Sequence, residues 1–232
     1  MSFTPQEIPT GAVRFNTDSS KMEVYIGSTW MEVAVSRPNL DGGSRGIFAL
    51  HTQTIDFLTI PTQGNSQDFG DLSSGRNNAV AVSSRTRACF GAGYVPSPAT
   101  STNIIDFVTI AQTGNAQEFG DLTEAKAGVG GLSSATRGIF AGGYTPTVKK
   151  RIEKIEIATK VNATNFGDLT TVRRYCGGMS DCVRGVVAAG HNPSATNNID
   201  FFNISTSGDG FDFGDQTTAA QTHGTSNGHG GL

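Results

Sequence analysis

The sequence predicts an all-β fold in which a small N-terminal β-meander precedes four repeated units. Three observations indicate this fold. The same three sequence markers recur four times, and the segments between them alternate as strands do. Gly contributes 30 of the 232 residues, well above the share of about 7% in average proteins. A chain of this length can bury one sizeable core together with a small appendage.

The three markers keep the same order in every unit. The first is an Arg followed by a compact apolar segment, the second is Ile-Asp-Phe or a close variant, and the third is Phe-Gly-Asp. The first starts at residues 45, 87, 137 and 184; the second spans 55–57, 105–107, 155–157 and 199–201; the third spans 69–71, 119–121, 166–168 and 213–215. Successive Phe-Gly-Asp motifs start 50, 47 and 47 residues apart, which indicates a repeat architecture.

Each unit is predicted to contain four short strands and no helix. Residues 137–143, Arg-Gly-Ile-Phe-Ala-Gly-Gly, form an apolar run that ends in Gly, as in a strand buried on both faces. Residues 105–110 alternate and are β-branched, whereas 111–117 contain turn residues. Short strands at 119–122 and 128–134 complete the set. Four strands in about 40–50 residues match the size of a β-propeller blade.

The order of the strands resembles that of the kelch repeat: a small-residue strand, an apolar strand closing on Gly-Gly, an alternating strand and an aromatic residue before a turn. The sequence departs from that pattern because Phe replaces the usual Trp and Gly-Gly is intact only at Gly142 and Gly143. The resemblance implies a kelch-like β-propeller of four repeats of about 47 residues, spanning residues 39–232.

The two ends of the array suggest how it is completed. The first unit begins directly at residues 44–45 without a strand before it, and residues 222–232 align with 177–183, the strand that precedes a unit. The C-terminal strand 222–232 is therefore predicted to close onto the first repeat, which would remove exposed sheet edges. The other arrangement compatible with the sequence is an open array completed by other copies of the chain.

Residues 1–38 form a separate module. Val13 and Phe15 alternate with polar neighbours, residues 22–26 alternate likewise, and turn residues stand between these segments, which predicts a three-stranded meander. A sheet this small cannot bury a core alone, so it is expected to dock on the propeller or on copies of itself. The predicted assembly residues are Val13, Phe15, Tyr25 and Trp30, and the face of Val13, Phe15 and Trp30 is expected to be buried against a neighbouring subunit.

Both parts of the chain resemble phage proteins. Residues 11–18 and 22–33, Gly-Ala-Val-Arg-Phe-Asn-Thr-Asp and Met-Glu-Val-Tyr-Ile-Gly-Ser-Thr-Trp-Met-Glu-Val, are similar to a module near the start of tailed-phage tail fibres and other virion proteins. Residues 136–144 and 115–122 resemble repeats in structural proteins of marine phages, especially cyanophages.

The resemblance implies a non-catalytic virion structural protein that assembles through its N-terminal module and displays the propeller on the particle surface. Its expected partners are other virion proteins and copies of itself. Two alternatives remain open: a tail-fibre adhesin that binds a host surface glycan or receptor, and a propeller enzyme that degrades polysaccharide.

Composition narrows the range of partners. With 17 basic and 20 acidic residues the net charge is -3, so no basic field attracts nucleic acid. No run approaches the roughly 18 apolar residues of a membrane helix, and the N-terminus lacks the pattern of a signal peptide. We therefore expect synthesis in the host cytoplasm and location in the virion. Cys89, Cys176 and Cys182 are expected to be free thiols, and no cofactor is expected.

The charged residues of the repeat are predicted to be structural. They recur once per unit, whereas sites for chemistry are normally asymmetric. We expect each Asp to cap a turn by accepting backbone N–H bonds and to pair with an Arg of a neighbouring strand. The alternative is a ring of acid groups or metal ligands. The residues are Asp71, Asp121, Asp168 and Asp215 together with Arg45, Arg87, Arg137 and Arg184.

The candidate binding residues close the Gly-rich strand of each unit: His51, Tyr94, Tyr144 and His191. Planar side chains on one rim could stack on sugars or contact a protein. The alternative is that they only cover the strand ends of adjacent blades. No metal site is expected, because His223 and His229 lack a carboxylate or thiol at ligand spacing.

Overall fold

The computed structural model describes residues 8–17, 21–33, 45–49 and 52–224 of the chain. The chain divides into two compact units, residues 1–39 and 40–232. The fold is all-β: the described residues form antiparallel sheets and none of them lies in a helix. His51 and residues 225–232, which include His229 and most of the predicted closing strand, lie outside the described ranges.

The N-terminal unit is one antiparallel sheet. Its strands, in the order β1-β2-β3, are β1 (Val13–Asn16), β2 (Lys21–Ile26) and β3 (Thr29–Glu32). Residues Gly27 and Ser28 connect β2 to β3, and both have positive φ angles, +59° and +91°. A two-residue hairpin turn needs that backbone conformation to match the right-handed twist of its strands. The position of this turn fixes the register that pairs Tyr25 with Trp30.

The second unit contains four successive sheets, numbered here I to IV in chain order. Sheet I consists of β4 (Arg45–Ala49), β5 (Thr54–Thr59) and β6 (Gln67–Asp71). Sheet II consists of β7 (Val80–Ser83), β8 (Arg87–Gly91), β11 (Ile104–Thr109) and β12 (Gln117–Asp121), and a hairpin of β9 (Tyr94–Pro96) and β10 (Ala99–Ser101) lies between its second and third strands.

Sheets III and IV repeat the four-stranded order. Sheet III consists of β13 (Gly130–Ser133), β14 (Arg137–Ala141), β15 (Arg151–Glu156) and β16 (Thr164–Asp168). Sheet IV consists of β17 (Gly177–Ser180), β18 (Arg184–His191), β19 (Ala195–Asn203) and β20 (Phe211–Asp215). Sheet I has three strands among the described residues, and the strand it lacks corresponds to β7, β13 and β17.

The register corrects one sequence marker. Arg45, Arg87, Arg137 and Arg184 each begin a strand and pair with Thr59, Thr109, Glu156 and Asn203 respectively. Residue 105 lies four positions before Thr109, and the residue four positions before Glu156 is Ile152. The counterpart of residues 105–107 in sheet III is therefore 152–154, Ile-Glu-Lys, and not 155–157 as the sequence motif suggested. A bulge between Ile152 and Glu153 matches the bulge between Ile105 and Asp106 and confirms the alignment.

The sheets stack in chain order, and each neighbouring pair encloses an apolar cluster. Sheets I and II bury a cluster that includes Ile55, Phe69 and Phe90. Sheets II and III bury Phe107, Phe119 and Phe140 among others. Sheets III and IV bury Ile139, Phe166, Val187 and Phe202 among others. The core of this unit is therefore three successive layers between sheets.

The apolar segments of the repeat predict a core that contains Ile47, Phe48, Phe90, Ile139, Phe140, Val186 and Val187. In the structure, the burial of these residues depends on their position in the stack. Phe90, Ile139, Phe140 and Val187 are buried, as expected. Ile47 and Val186 are only partly buried, and Phe48 is 44% exposed. Phe48 is exposed because it lies on the outer face of sheet I, where no described sheet precedes it.

The first strands of the sheets lie side by side: β13 contacts both β7 and β17. Small residues make this approach possible, since a Cβ on Gly178 would meet the carbonyl oxygen of Gly131. The C-terminal segment continues the series, because a Cβ on Gly177 would lie 2.9 Å from the nitrogen of Gly224.

Candidate functional site

The recurring arginines join consecutive sheets. The guanidinium Nη1 of Arg45 donates to the carbonyl oxygen of Ile110 at 2.8 Å, that of Arg87 to Ile157 at 3.0 Å, and that of Arg137 to Ile204 at 2.8 Å. Each acceptor lies just after the third strand of the next sheet. Arg184 stacks over Phe201 with 5.0 Å between its Cζ and the ring centroid, and no described carbonyl accepts from its guanidinium.

The Phe-Gly-Asp aspartates also lie between sheets, but the expected turn capping is wrong. The backbone N–H groups of Asp71, Asp121 and Asp168 donate to the side-chain oxygens of Asn115, Asn162 and Asp209 in the next sheet, at 3.1, 3.0 and 2.9 Å. Among the described residues, no backbone N–H donates to the carboxylate of any of the four, and only Asp168 forms an ion pair, at 3.2 Å to Lys150 rather than to an Arg. Asp215 is exposed.

Turn capping is performed by the residues three positions before Arg87, Arg137 and Arg184. The hydroxyls of Ser84 and Ser134 accept the N–H groups of Arg87 and Arg137 at 3.2 and 3.1 Å. In sheet IV the same position is Asp181, whose carboxylate accepts the N–H of Arg184 at 2.6 Å and that of Val183 at 3.0 Å. These two bonds hold the pKa of Asp181 below its ordinary value of 3.8.

Three fully buried ion pairs were missed by the sequence prediction. Arg76 contacts Asp106 at 2.9 Å, Lys126 contacts Glu153, and Arg173 contacts Asp200 at 2.8 Å. In each pair the cation comes from the loop after one sheet and the carboxylate comes from the third strand of the next. Burial lowers the pKa of Arg76, although the charge of Asp106 opposes that shift.

Each buried carboxylate has two further donors from one residue of the preceding sheet. The N–H and hydroxyl of Ser73 donate to Asp106 at 3.1 and 2.8 Å, and those of Thr170 donate to Asp200 at 2.8 and 2.7 Å. Thr123 makes the same contacts to Glu153. The sequence carried a signal for these pairs: two positions after each of the first three Phe-Gly-Asp motifs stands a hydroxyl residue, and three positions later stands an Arg or Lys. These pairs tie consecutive sheets together, because losing either member would leave an unpaired buried charge.

The predicted rim residues share one structural position. Tyr94, Tyr144 and His191 form isolated antiparallel bridges with residues 77, 127 and 174, each of which directly follows a buried cation. Tyr94 is 38% and Tyr144 39% exposed, and His191 is partly buried. The three residues therefore lie along the same edge of the stack.

Their environments along this edge are unequal. The guanidinium of Arg174 lies 4.7 Å from the ring centroid of Tyr144 and covers one face of it. Ala127 stands at the position of Arg174 in the preceding sheet and supplies no such cover for Tyr94. The Nδ1 atom of His191 is buried. Tyr94 and Tyr144 are about equally exposed, but only Tyr94 lacks a described cation over its ring.

A groove of about 640 Å³ runs along the first strands of sheets II to IV. Its lining is mostly small residues and backbone, with polar side chains contributed by Asn78, Tyr175, Gln221 and His223. Within the described ranges no three His, Cys, Asp or Glu side chains cluster as metal ligands do.

The N-terminal sheet has two different faces. Val13 and Phe15 lie on an apolar face with Met22 and Met31, and these four side chains are 51–60% exposed. Trp30 lies on the opposite face, beside Tyr25, so the expected single face of Val13, Phe15 and Trp30 is wrong. Strand alternation separates them, since Trp30 pairs with Tyr25, one residue along from Val24, the partner of Val13.

The face that carries Trp30 is closed by a charged residue. The Arg14 guanidinium lies 4.1 Å from the Trp30 ring centroid and forms a 2.8 Å ion pair with Glu23. Hydrogen bonds from Asn16 and then Arg14 lower the pKa of Glu23. The apolar face is thus the face that carries the exposed large hydrophobic side chains.

Two of the three cysteines fill the interior between sheets. Cys89 and Cys176 are buried free thiols, whereas Cys182 has intermediate exposure. Burial raises the pKa of Cys89 to about 12 and also raises that of Cys176. Neither buried thiol is poised as a nucleophile.

No protein-family model matches this chain, and no curated protein is significantly similar to it. Along the part of the chain that the structure describes, no helix is long and apolar enough to span a membrane.

Proposed function

We propose that this protein is a non-catalytic structural component of a phage virion. In this proposal the four stacked sheets are the blades of a kelch-like β-propeller array displayed on the particle surface, and residues 8–33 attach the protein to other virion proteins or to copies of itself. The phage resemblance of both parts of the sequence supports the virion location.

The observation that carries the proposal is that most of the recurring charged residues bind groups of the neighbouring sheet. Those on the buried side of the first three units contact the next sheet: for example, Arg87 binds a carbonyl group, and Arg76 and Asp106 bind each other. Charges that are engaged in this way stabilise an array and are not available for general acid–base chemistry. The exposed apolar face of Val13 and Phe15 then supplies an attachment surface, because exposed apolar patches mark interaction sites.

Cosedimentation with purified particles of the phage that encodes the chain tests this proposal. We expect wild-type protein to bind particles that lack it, and Val13→Ser combined with Phe15→Ser to abolish binding while the unfolding midpoint stays near that of wild type. Tyr25→Ser is the matched control, since it changes the opposite face of the same sheet. Equal binding by both variants, or no binding by wild type, would contradict the proposal.

The second candidate, an adhesin for host surface glycan, is favoured by the exposed rings of Tyr94 and Tyr144 on one edge. Tyr94→Ala combined with Tyr144→Ala should reduce binding of the purified protein to host cells, with the larger share of the loss coming from the uncovered Tyr94. Thr100→Ala, in the exposed neighbouring hairpin, is the control. Wild-type protein that binds particles and ignores cells would exclude the adhesin.

A further inference from the structure

The two end faces of the stack are open in the same structure. Phe213 in sheet IV is 54% exposed, whereas its counterpart Phe119 in sheet II is 3% exposed. Phe48 in sheet I is 44% exposed, whereas its counterpart Phe140 in sheet III is fully buried. The residues that pack between neighbouring sheets inside the stack therefore face no described sheet at its two ends.

The open faces carry the donors and acceptors that join the internal sheets. On sheet IV, Arg184 is the counterpart of Arg87, and the N–H of Asp215 is the counterpart of that of Asp121. Thr217 stands where Ser73, Thr123 and Thr170 bind carboxylates, and neither its N–H nor its hydroxyl has a described partner.

The first sheet offers the matching groups. The carbonyl oxygen of Ile60 corresponds to that of Ile110, which accepts from Arg45. Asn65 corresponds to Asn115, whose side chain accepts the N–H of Asp71. Asp56 corresponds to Asp106 and is only partly buried, with a 2.9 Å bond from Ser66. Sheet IV and sheet I therefore carry most of the groups that form the three contacts between neighbouring sheets inside the stack.

We propose that sheet IV of one copy of this chain docks on sheet I of a second copy. The occupant is a second copy because the two faces are complementary yet remain apart within one chain: a Cβ on Gly214 in sheet IV would meet nothing within 4 Å, whereas a Cβ on the equivalent Gly70 would meet Gly114 of the next sheet at 2.5 Å. The contact is head-to-tail, so it forms a ring if the rotation closes and a filament if it does not.

One residue makes this end contact different from the internal ones. Ala220 stands where Lys126 and Arg173 provide the buried cation, because its carbonyl oxygen accepts the N–H of Gly190 at 2.9 Å, just as Lys126 accepts that of Gly93 and Arg173 that of Gly143. Asp56 of the second copy would therefore meet Thr217 but no cation. An unpaired buried carboxylate is unfavourable, so the end contact is weaker than the internal ones and reversible.

Ala220→Arg tests the contact by restoring the missing cation. Sedimentation velocity across a concentration series should show association strengthened by about tenfold or more over wild type, since hydrogen bonds to charged groups are among the strongest. The gain should vanish when Asp56→Asn in the same chain removes the carboxylate. A gain that persists with Asp56→Asn would contradict the proposed geometry.

Two exposed phenylalanines of the same strand give a matched loss-of-association test. Phe213→Ser should weaken association about tenfold to a hundredfold, because Phe213 loses its burial against the second copy. Phe211→Ser should leave it unchanged, since residues 67, 117 and 164 at the same position are exposed in every internal sheet. Equal effects of the two substitutions would overturn the proposal.

Cross-linking identifies whether the second face belongs to another copy. In a Cys182→Ser background, we would mix Asn65→Cys protein with Asp215→Cys protein and add a short bismaleimide. A cross-linked dimer that needs both variants is expected. Absence of that dimer would overturn the proposal. In the Asn65→Cys/Asp215→Cys double variant, cross-linking only within a monomer would also overturn it, because this result would show that sheets IV and I meet inside one chain. Particle binding through Val13 and Phe15 is measured separately, so its failure leaves this result intact.

Discussion

The N-terminal sheet and sheet III show how differently two small antiparallel sheets can treat their apolar residues. Phe15 in the N-terminal sheet is 60% exposed, although it lies on the apolar face of an alternating strand. Ile139 and Phe140, adjacent residues that face opposite sides of sheet III, are both fully buried. Sheet III has a neighbour on each side, whereas the N-terminal sheet closes only its polar face, with Arg14 over Trp30.

The difference shows what the sequence pattern of each strand encodes. A strand covered on both sides is a continuous apolar run, as in residues 137–141, and a strand covered on one side alternates, as in residues 13–16. The apolar side of an alternating strand then needs a cover of its own. In the repeats the chain supplies that cover in the next unit, and in the N-terminal sheet we expect a partner to supply it.

The largest expected effect comes from truncating the buried and the exposed Phe in parallel. Phe140→Ala should lower the free energy of unfolding by about 3–5 kcal/mol, because it leaves a cavity between sheets II and III. Phe15→Ala should change it by less than about 0.5 kcal/mol. Urea unfolding of both variants measures the difference, and similar losses in the two would show that the apolar face of Phe15 is already covered.

An intermediate effect is expected from exchanging the cations of the buried ion pairs. Arg173 donates to the carbonyl oxygens of Asn198 and Val187 as well as to Asp200, so Arg173→Lys keeps the charge but loses fork-type hydrogen bonds. We expect a loss of about 1–3 kcal/mol in the free energy of unfolding. Arg151→Lys, at an exposed position, is the control in the same urea titration. A loss no larger than the control's would mean that charge alone stabilises the pair.

The smallest effect concerns the turn cap of sheet IV and depends on pH. The pKa of Asp181 is lowered in the folded state, so its stabilising contribution is complete above the ordinary value of 3.8 and is lost as pH falls through the lower folded pKa. Asp181→Asn should therefore be slightly less stable than wild type at pH 7, and the gap should close below pH 3.8. Thermal midpoints of the two proteins across that range test the sign; a gap that widens in acid would refute it.

Much of the fold follows from the sequence because its signals are local. The Arg-initiated runs and the Phe-Gly-Asp segments form strands, such as β14 and β16, where the markers stand. The marker in sheet III was misplaced because Lys154 replaces the Phe of the other units, and only pairing with β14 fixes the register. The sequence alone could not reveal that the marker of sheet III lies three residues earlier, at 152–154.

The site was less predictable, because its contacts join residues about 30 positions apart. Arg76 and Asp106 are charged residues that look solvent-exposed in sequence, and their burial depends on how closely consecutive sheets approach. The face of Trp30 could have been obtained by counting strand alternation through the two-residue turn at Gly27 and Ser28. The open ends follow from the three-dimensional stack alone.

In sheets II and III, the connection between the second and third strands takes little part in holding the sheets together. Its tips, residues 95–101 and 145–148, hydrogen-bond only to residues of their own connection within the described chain. The bonds that hold the stack together arise elsewhere, so we expect substitutions, insertions or deletions at these tips to leave the array intact. They lie beside Tyr94 and Tyr144 on one edge. The sequence of that edge can therefore vary while the scaffold beneath it stays constant.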